Sequence, residues 1–387
     1  MKIVMTGGGS GGHITPILAV AHEVKRLSAD TTVIYIGQRG DGLADIPAAD
    51  PNIDQVFSVR AGKFRRYHGE GWRQLLDVPT MLLNIRDAGF VVIGLVQSYR
   101  LLRRLRPDII FVKGGFVGVP VGLAAASLKI PFITHDSDAI PGLANRLIAR
   151  WAKLHAVALP AEIYPYPATK TVSVGIPLVD DYVPVTASLR AKYRQQLSIP
   201  SGAKLLFVIG GGLGAQRINQ ALTGIASHLL AEFPDLYLIH GVGRAHEAAM
   251  NADYDNELSP AARQRVQVKG YLTDLYRYSG AADVVVTRAG ATNLAEFSVQ
   301  GKACVVIPSP FLTGGHQLKN AQVLADAGAA VIVDEVAVQT DANFLARAIS
   351  DLLKNPSGAV QMGQQFQSMS HRDAAAKLAQ LLMSGVQ

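Results

Sequence analysis

What most constrains this chain is a glycine-rich turn that follows an apolar run in two places. Gly7-Gly8-Gly9-Ser10-Gly11-Gly12-His13 follows Ile3-Val4-Met5, and Gly210-Gly211-Gly212-Leu213-Gly214-Ala215-Gln216-Arg217 follows Leu205-Leu206-Phe207-Val208-Ile209. Each reads as strand, tight turn, helix start. Glycine lets the backbone approach an anion closely, and the N–H groups and dipole of the next helix favour negative charge there. Two such units predict two nucleotide-type α/β domains. For either copy alone, a tight packing turn with no ligand is the alternative.

At 387 residues the chain is long for one core, which agrees with two domains. Its single cysteine, Cys304, leaves no disulfide framework and no multi-cysteine metal site, so a reducing, cytosolic setting is expected. Met1 to Thr6 run straight into the first turn with no signal-like apolar stretch ahead of a cleavage site, and export is not expected. The apolar run Ala88 to Val96 reads as too short to cross a bilayer of roughly 30 Å.

Strand-like runs alternate with helical stretches, the pattern of a parallel sheet covered by helices. In the first half they are Lys2 to Met5, Thr32 to Ile36, Ile109 to Val112, Phe132 to Thr134 and His155 to Ala158. In the second they are Lys204 to Ile209, Leu236 to His240, Val266 to Lys269, Val284 to Thr287, Ala303 to Ile307 and Ala330 to Val333. Tyr164-Pro165-Tyr166-Pro167 and the prolines from Pro177 to Pro184 interrupt this rhythm, placing a domain boundary between residues 178 and 179.

The formal charge of +7 is concentrated in one place. Arg60, Lys63, Arg65, Arg66, Arg73, Arg86, Arg100, Arg103, Arg104 and Arg106 stand against Glu70, Asp77 and Asp87, a surplus equal to that of the whole chain. Trp72, Met81, Leu82, Phe90 and Val92 are interleaved with them. Such a mixture suits an anionic membrane surface, where each cation contributes roughly 1 kcal/mol. A pair of amphipathic core helices with solvated basic faces is the alternative. No nucleic-acid-binding signature is present, so nucleic acid is not an expected partner.

Three further strings end predicted strands, where open α/β sheets bind ligands. Lys113-Gly114-Gly115-Phe116-Val117-Gly118-Val119-Pro120 gives a third glycine turn, and His135-Asp136-Ser137-Asp138 opens a polar stretch reaching Asn145. Thr287-Arg288-Ala289-Gly290-Ala291-Thr292-Asn293-Leu294-Ala295-Glu296 places a carboxylate inside a helix start, able to accept both hydroxyls of a ribose diol. Gly314-Gly315-His316-Gln317-Leu318-Lys319-Asn320 supplies amide and imidazole groups suited to sugar hydroxyls.

With these strings the chain resembles the bacterial glycosyltransferases that add N-acetylglucosamine, from its UDP derivative, to undecaprenyl-pyrophosphoryl-N-acetylmuramyl-pentapeptide, completing lipid II. Gly7 to Pro16 is similar to the family's first glycine loop, Lys113 to Pro120 to its second, and Gly210 to Asn219 to its donor-domain loop. The resemblance implies two Rossmann-like α/β domains facing across a cleft, the GT-B architecture. Residues 1–178 would form the acceptor and membrane-associated domain, with a C-terminal helix at about 362–387 packing back on it, and 179–361 the UDP-sugar domain. It also implies a peripheral protein on the cytoplasmic face of the cell membrane, with three partners: UDP-N-acetylglucosamine, the undecaprenyl-linked acceptor lipid and the anionic membrane surface.

Carried over residue by residue, the resemblance makes His13 the catalytic residue and Glu296 the ribose-binding carboxylate. Leu272 would read the uracil edge through its backbone, and Ala291, Thr292, Asn293, Leu294 and Ala295 would form the helix start at the diphosphate. Gln317 with His316 would contact the sugar hydroxyls. Ser10, Gly11, Gly12, Asp138 and Gly212 complete the implied donor contacts, and Gly9, Gly114 and Gly115 the acceptor-pyrophosphate loops.

The chain also departs from the pattern. His135-Asp136-Ser137-Asp138 stands for the usual His-Glu-Gln-Asn, so Asp138 puts a carboxylate where an amide is usual. Val179 stands where an arginine is usual, and Gly212 where a serine is. These three changes in donor contacts leave the exact sugar open; Arg217 and Arg288 are nearby cations that could offset the loss, or else structural partners of a helix end. Asp136-Ser137-Asp138 is also a D-x-D string, whose oxygens would suit Mg²⁺ or Mn²⁺. It lies at the place of a non-metal motif and lacks further clustered carboxylates, so neither a metal nor a redox cofactor is expected.

The implied reaction is a single inverting displacement in which the acceptor's 4-hydroxyl attacks the anomeric carbon, His13 takes the proton and helix N-termini stabilise the departing UDP. A transferase with another lipid acceptor and a non-catalytic nucleotide-binding module are the alternatives. A dehydrogenase is disfavoured because Asp30 lies before its strand rather than at the strand's end.

Overall fold

The computed structural model describes residues 1–8, 11–62, 78–211, 214–311 and 315–385. Gly9, Ser10 and Gly212 of the expected site, and Lys63, Arg65, Arg66, Trp72 and Arg73 of the basic stretch, lie outside them. The chain divides into two compact units. One comprises Met1–Asp180, Phe311–His316 and His371–Gln387, the other Asp181–Pro310 and Gln317–Ser370. The division falls two residues beyond the expected 178/179 boundary. Residues 362–370, expected to return to the first domain, belong to the second unit.

The first unit holds a seven-stranded parallel sheet built from β1 (Lys2–Thr6), β2 (Thr32–Gln38), β3 (Gln55–Val59), β4 (Ile109–Val112), β5 (Phe132–Asp136), β6 (Leu154–Val157) and β7 (Thr171–Ser173), in the order β3-β2-β1-β4-β5-β6-β7. The second holds a six-stranded sheet of β8 (Lys204–Ile209), β9 (Leu236–Gly241), β10 (Val266–Lys269), β11 (Val284–Thr287), β12 (Ala303–Val306) and β13 (Val331–Ile332), in the order β10-β9-β8-β11-β12-β13. Every pairing recorded is parallel, and helices cover both faces. That is why the central strands read as continuous apolar runs: Leu206 and Val208 pack on one face of the second sheet, Leu205 and Phe207 on the other.

Both sheets reverse strand order beside their first strand, at β1/β4 and at β8/β11. Ligands of open α/β sheets bind in the crevice such a switch leaves outside the strand ends. The glycine turns at Gly7, Gly114 and Gly210 and the Gly290 turn all sit at these two points.

The C-terminal helix Ala374–Ser384 packs on the helix Gly11–Leu27, burying Leu378, Ala379 and Leu382 among Ile3, Val20, Val24 and Ile109. The helix Val78–Leu105 corrects the reading of Ala88 to Val96 as a short apolar run. Thr80–Leu105 is long and apolar enough to cross a membrane by length and composition, an 18-residue window of it having a mean hydropathy of 1.3. One side packs on the unit, where a Cβ on Gly94 would collide with the Arg60 carbonyl oxygen. Its other side presents Leu82, Ile85 and Val92 at 59%, 61% and 62% exposure, which is the reverse of a core helix with a solvated basic face.

Candidate functional site

In the first unit the site is built on the ends of β1, β4 and β5. Lys113 N–H donates to the Thr6 carbonyl (2.9 Å), carrying the β1/β4 pairing into the two glycine turns. Gly114 and Gly115 have φ of +109° and +76°, a region that disfavours side chains. A Cβ on Gly115 would stand 2.7 Å from the Gly8 oxygen and 3.5 Å from Cδ2 of His13. These glycines therefore let the turns close on the imidazole.

His13 lies in the first turn of Gly11–Leu27, half-buried, and its Nδ1 is buried with no hydrogen-bond partner among the described residues. Burial, then the Lys113 ammonium, push its pKa down to about 3, so the ring is neutral. A neutral imidazole with an unused nitrogen can accept a proton from a substrate hydroxyl.

The His135 to Asp138 string is polar turn chemistry. Asp136 accepts from Tyr166 Oη (2.8 Å), from Asn145 Nδ2 (3.0 Å) and from the Gly142 N–H (3.0 Å), so both carboxylate oxygens are engaged. Burial nevertheless raises its pKa from the ordinary aspartate value, against the lowering effect of these hydrogen bonds. His135 Nε2 bonds the Gly175 carbonyl (2.8 Å), and Lys113 Nζ donates to Ser137 Oγ (2.8 Å). Asp138 is half-buried, its backbone carbonyl accepting from Tyr164 Oη (3.1 Å).

In the second unit the helix Ala291–Val299 begins directly after β11. Its N-cap, Gly290, offers no side-chain cap, so the N–H groups over Ala291, Thr292 and Asn293 are left for an anion. Glu296, one turn further, is buried at 9% exposure. Its carboxyl pairs with the Tyr182 hydroxyl, while Oε2 is buried without a partner among the described residues. Burial pushes Glu296 up to about 8, and the Tyr182 hydrogen bond opposes this only in part. A buried acceptor left unsatisfied is expensive, and a ribose diol would satisfy it.

Leu272 is half-buried beside the end of β9, where a Cβ on Gly241 would lie 3.3 Å from its Cδ1. Gln317 uses Oε1 to accept from the Ser309 N–H (2.9 Å), and Asn320 Nδ2 donates to the Ala289 carbonyl (3.0 Å), tying the helix His316–Asp326 to the β11 turn. His316 is half-buried at the start of that helix. Arg288 is ion-paired with the buried Glu335 and donates to the Ile307 carbonyl (3.2 Å), while Arg217 lies 3.8 Å from the same carboxylate. Arg288 is thus a structural partner of Glu335, whereas Arg217 is half-exposed at the longer distance.

The structure thus brings together His13, Gly114, Gly115 and the Asp136 to Asp138 turn in one unit. In the other it groups Ala291 to Glu296 with Gln317. Sequence reasoning missed Lys113, Tyr166 and Tyr182 as site residues. Lys113 and Tyr166 stood in quoted strings without a role, and Tyr182 lies in the irregular proline-rich segment, where no periodicity marks it.

The glycosyltransferase family 28 N-terminal domain matches residues 3–157, and the family's C-terminal domain matches residues 205–378. A Natranaerobius thermophilus protein named UDP-N-acetylglucosamine--N-acetylmuramyl-(pentapeptide) pyrophosphoryl-undecaprenol N-acetylglucosamine transferase is 30% identical over 385 residues, covering 99% of this chain and 100% of the relative. A Bacillus licheniformis protein of the same name is 31% identical, covering 99% and 98%. Among solved structures, Acinetobacter baumannii MurG superposes with a TM-score of 0.73 at 24% identity, covering 99% of each chain, which establishes the two-domain GT-B fold. With full-length relatives at this identity and both family domains in order, the chain belongs to the UDP-N-acetylglucosamine--N-acetylmuramyl-(pentapeptide) pyrophosphoryl-undecaprenol N-acetylglucosamine transferases of glycosyltransferase family 28.

Proposed function

We propose that this enzyme transfers N-acetylglucosamine from UDP-N-acetylglucosamine to undecaprenyl-pyrophosphoryl-N-acetylmuramyl-pentapeptide, forming lipid II. The observation that carries the reading is Glu296: a buried carboxyl with one unpartnered oxygen, one turn beyond an uncapped helix start, fits a ribose followed by a diphosphate. The acceptor's 4-hydroxyl attacks the anomeric carbon with inversion, its proton passes to His13, and the C1–O bond breaks toward UDP. The helix start at Ala291 stabilises the charge that grows on the diphosphate. Asp136, with both oxygens engaged in the turn, supports a site that works without a metal.

The acceptor is a lipid, and the enzyme meets it at the cytoplasmic face of the membrane as a peripheral protein. Support comes from Met81, Leu82, Ile85, Val92, Ile93, Val96 and Tyr99, all exposed. At 100° per residue they fall within an arc of about 120° of the helix Val78–Leu105. Arg100, Arg103 and Arg104, also exposed, continue that helix beyond the apolar stripe. Radiolabelled sugar transfer from UDP-N-acetylglucosamine to the undecaprenyl-linked acceptor, run beside UDP-glucose and UDP-galactose, tests the activity. Equal transfer from all three donors, or none from UDP-N-acetylglucosamine, would refute it.

A further inference from the structure

A second concave site lies at the other end of the second unit's sheet. The turns at Gly210 and Gly290 leave the carboxyl ends of β8 and β11, whereas Lys204, Val284 and Ala303 begin β8, β11 and β12 and line a cavity of about 510 Å³. A cavity of that size is in the range that holds small-molecule ligands. At about 3.3 Å per residue, the length of β8 sets it roughly 20 Å from the Gly210 turn. Its wall also includes Val185 and Arg190 from the chain entering the helix Ala187–Gln196 and that helix itself, Leu353, and Val360 from the helix Pro356–Ser368.

The fold gathers cations at this end of the sheet. Lys302, 6% exposed, donates from Nζ to the carbonyls of Gly280 (2.7 Å) and Ala282 (3.1 Å). Arg194 donates from Nε to the Ala281 carbonyl (3.1 Å) and from Nη2 to Asp283 Oδ2 (2.6 Å). Arg190 reaches Oδ1 of the same carboxylate, and its Nε is buried with no hydrogen-bond partner among the described residues. Three cations thus converge on Gly280, Ala281, Ala282 and Asp283, a segment with one carboxylate. Lys204, also in the wall, is balanced separately by Asp235 (2.7 Å). Among the described residues Lys302 has carbonyl partners and no carboxylate, so the cluster holds a surplus of two positive charges when it is protonated. Burial, then the Arg190 guanidinium, push Lys302 down to about 7, and an anion beside it would restore its charge.

We propose that this cavity binds a small organic phosphate, separately from the donor site, with the phosphate between Arg190 and Lys302 and the organic part against Val185, Leu353 and Val360. A phosphate monoester carries a charge of about −1.5 to −2 at neutral pH, which matches the surplus; a single carboxylate would leave part of it uncompensated. Arginine and lysine together supply the charge-assisted donors such a group needs. The cavity is larger than a phosphate alone, and its apolar wall gives the organic part a surface to bury.

The test is calorimetric titration of the full-length enzyme, kept in saturating UDP and at fixed ionic strength, with phenyl phosphate, inorganic phosphate and phenol. Phenyl phosphate should bind one per chain and at least about fivefold tighter than inorganic phosphate, with no heat from phenol. Lys302→Met, which keeps the unbranched stem, should weaken phenyl phosphate roughly tenfold or more. Val360 is exposed at the cavity wall, so changes there leave the core intact. Val360→Glu should weaken binding and Val360→Lys tighten it, each by roughly two- to fivefold. Melting temperatures report that each variant is folded. No saturable binding of either phosphate overturns the site. Phenyl phosphate binding no tighter than inorganic phosphate overturns the organic part and leaves a site for the free ion. Binding that neither Lys302→Met nor the two Val360 variants alter overturns its placement in this cavity.

Discussion

Glu296 and His13 carry opposite electrostatic burdens, and each gives a measurable signature. Glu296 is raised to about 8, so its carboxyl is largely protonated in the free enzyme at neutral pH. Ribose hydroxyls donating into it favour the carboxylate, so UDP binding should release a proton and tighten as pH rises toward 8. Calorimetric titration in buffers of different ionisation enthalpy measures that proton, and buffer-independent heats would remove Glu296 from the ribose. Glu296→Gln should cost about 2 to 4 kcal/mol in kcat/KM, chiefly through donor KM. The free variant should also gain stability relative to wild type as pH climbs. A group raised above its unfolded pKa stabilises at low pH, and that contribution is lost as pH rises through about 8. His13 is the reverse case: lowered to about 3, it adds stability above its unfolded pKa that is lost as pH falls from about 6.5 toward 3. His13→Ala should lower kcat by roughly 10²- to 10⁴-fold with UDP affinity nearly intact. An equal loss of UDP binding would assign the ring to the phosphate loop.

Among elements, the helix Val78–Leu105 makes the sharpest commitment. Vesicle binding should need both its apolar stripe and its arginines, since either alone gives only marginal attachment. Leu82→Ser combined with Ile85→Ser should abolish cosedimentation with anionic vesicles, and salt should weaken the wild type steeply. Binding that survives both the double variant and high salt would place the membrane surface elsewhere. The strands show which elements a sequence reveals. Every predicted strand is present: the central ones, covered on both faces, are largely apolar, and the edges β10 and β13 of the second sheet keep Val266, Val268, Val331 and Ile332. The two that were missed, β3 and β7, are the edges of the first sheet, where Gln55, Val56 and Ser58 are exposed and the apolar signal is diluted.

For the whole molecule, the returning C-terminal helix ties the chain's end to the core of the first unit. Leu382 is fully buried against that core, and Leu382→Ala should cost about 2 to 4 kcal/mol of its stability. If UDP binds the second unit, saturating UDP should leave the melting temperature of the first unit unchanged, and a rise in it would show that the two units do not unfold separately. The sequence by itself determined the two parallel-sheet domains, the glycine turns at their switch points and the positions of His13 and Glu296. These are properties of single segments: strand apolarity, backbone freedom at glycine, a carboxylate at a helix start. Only the tertiary structure decided where the charges go. Arg288 turns to Glu335, the buried Lys113 donates to Ser137, and Tyr182 reaches Glu296 across more than a hundred residues of chain. No local pattern encodes such partners, because the energy of a buried charge depends on which groups the fold brings within a few ångströms and on how much water it removes.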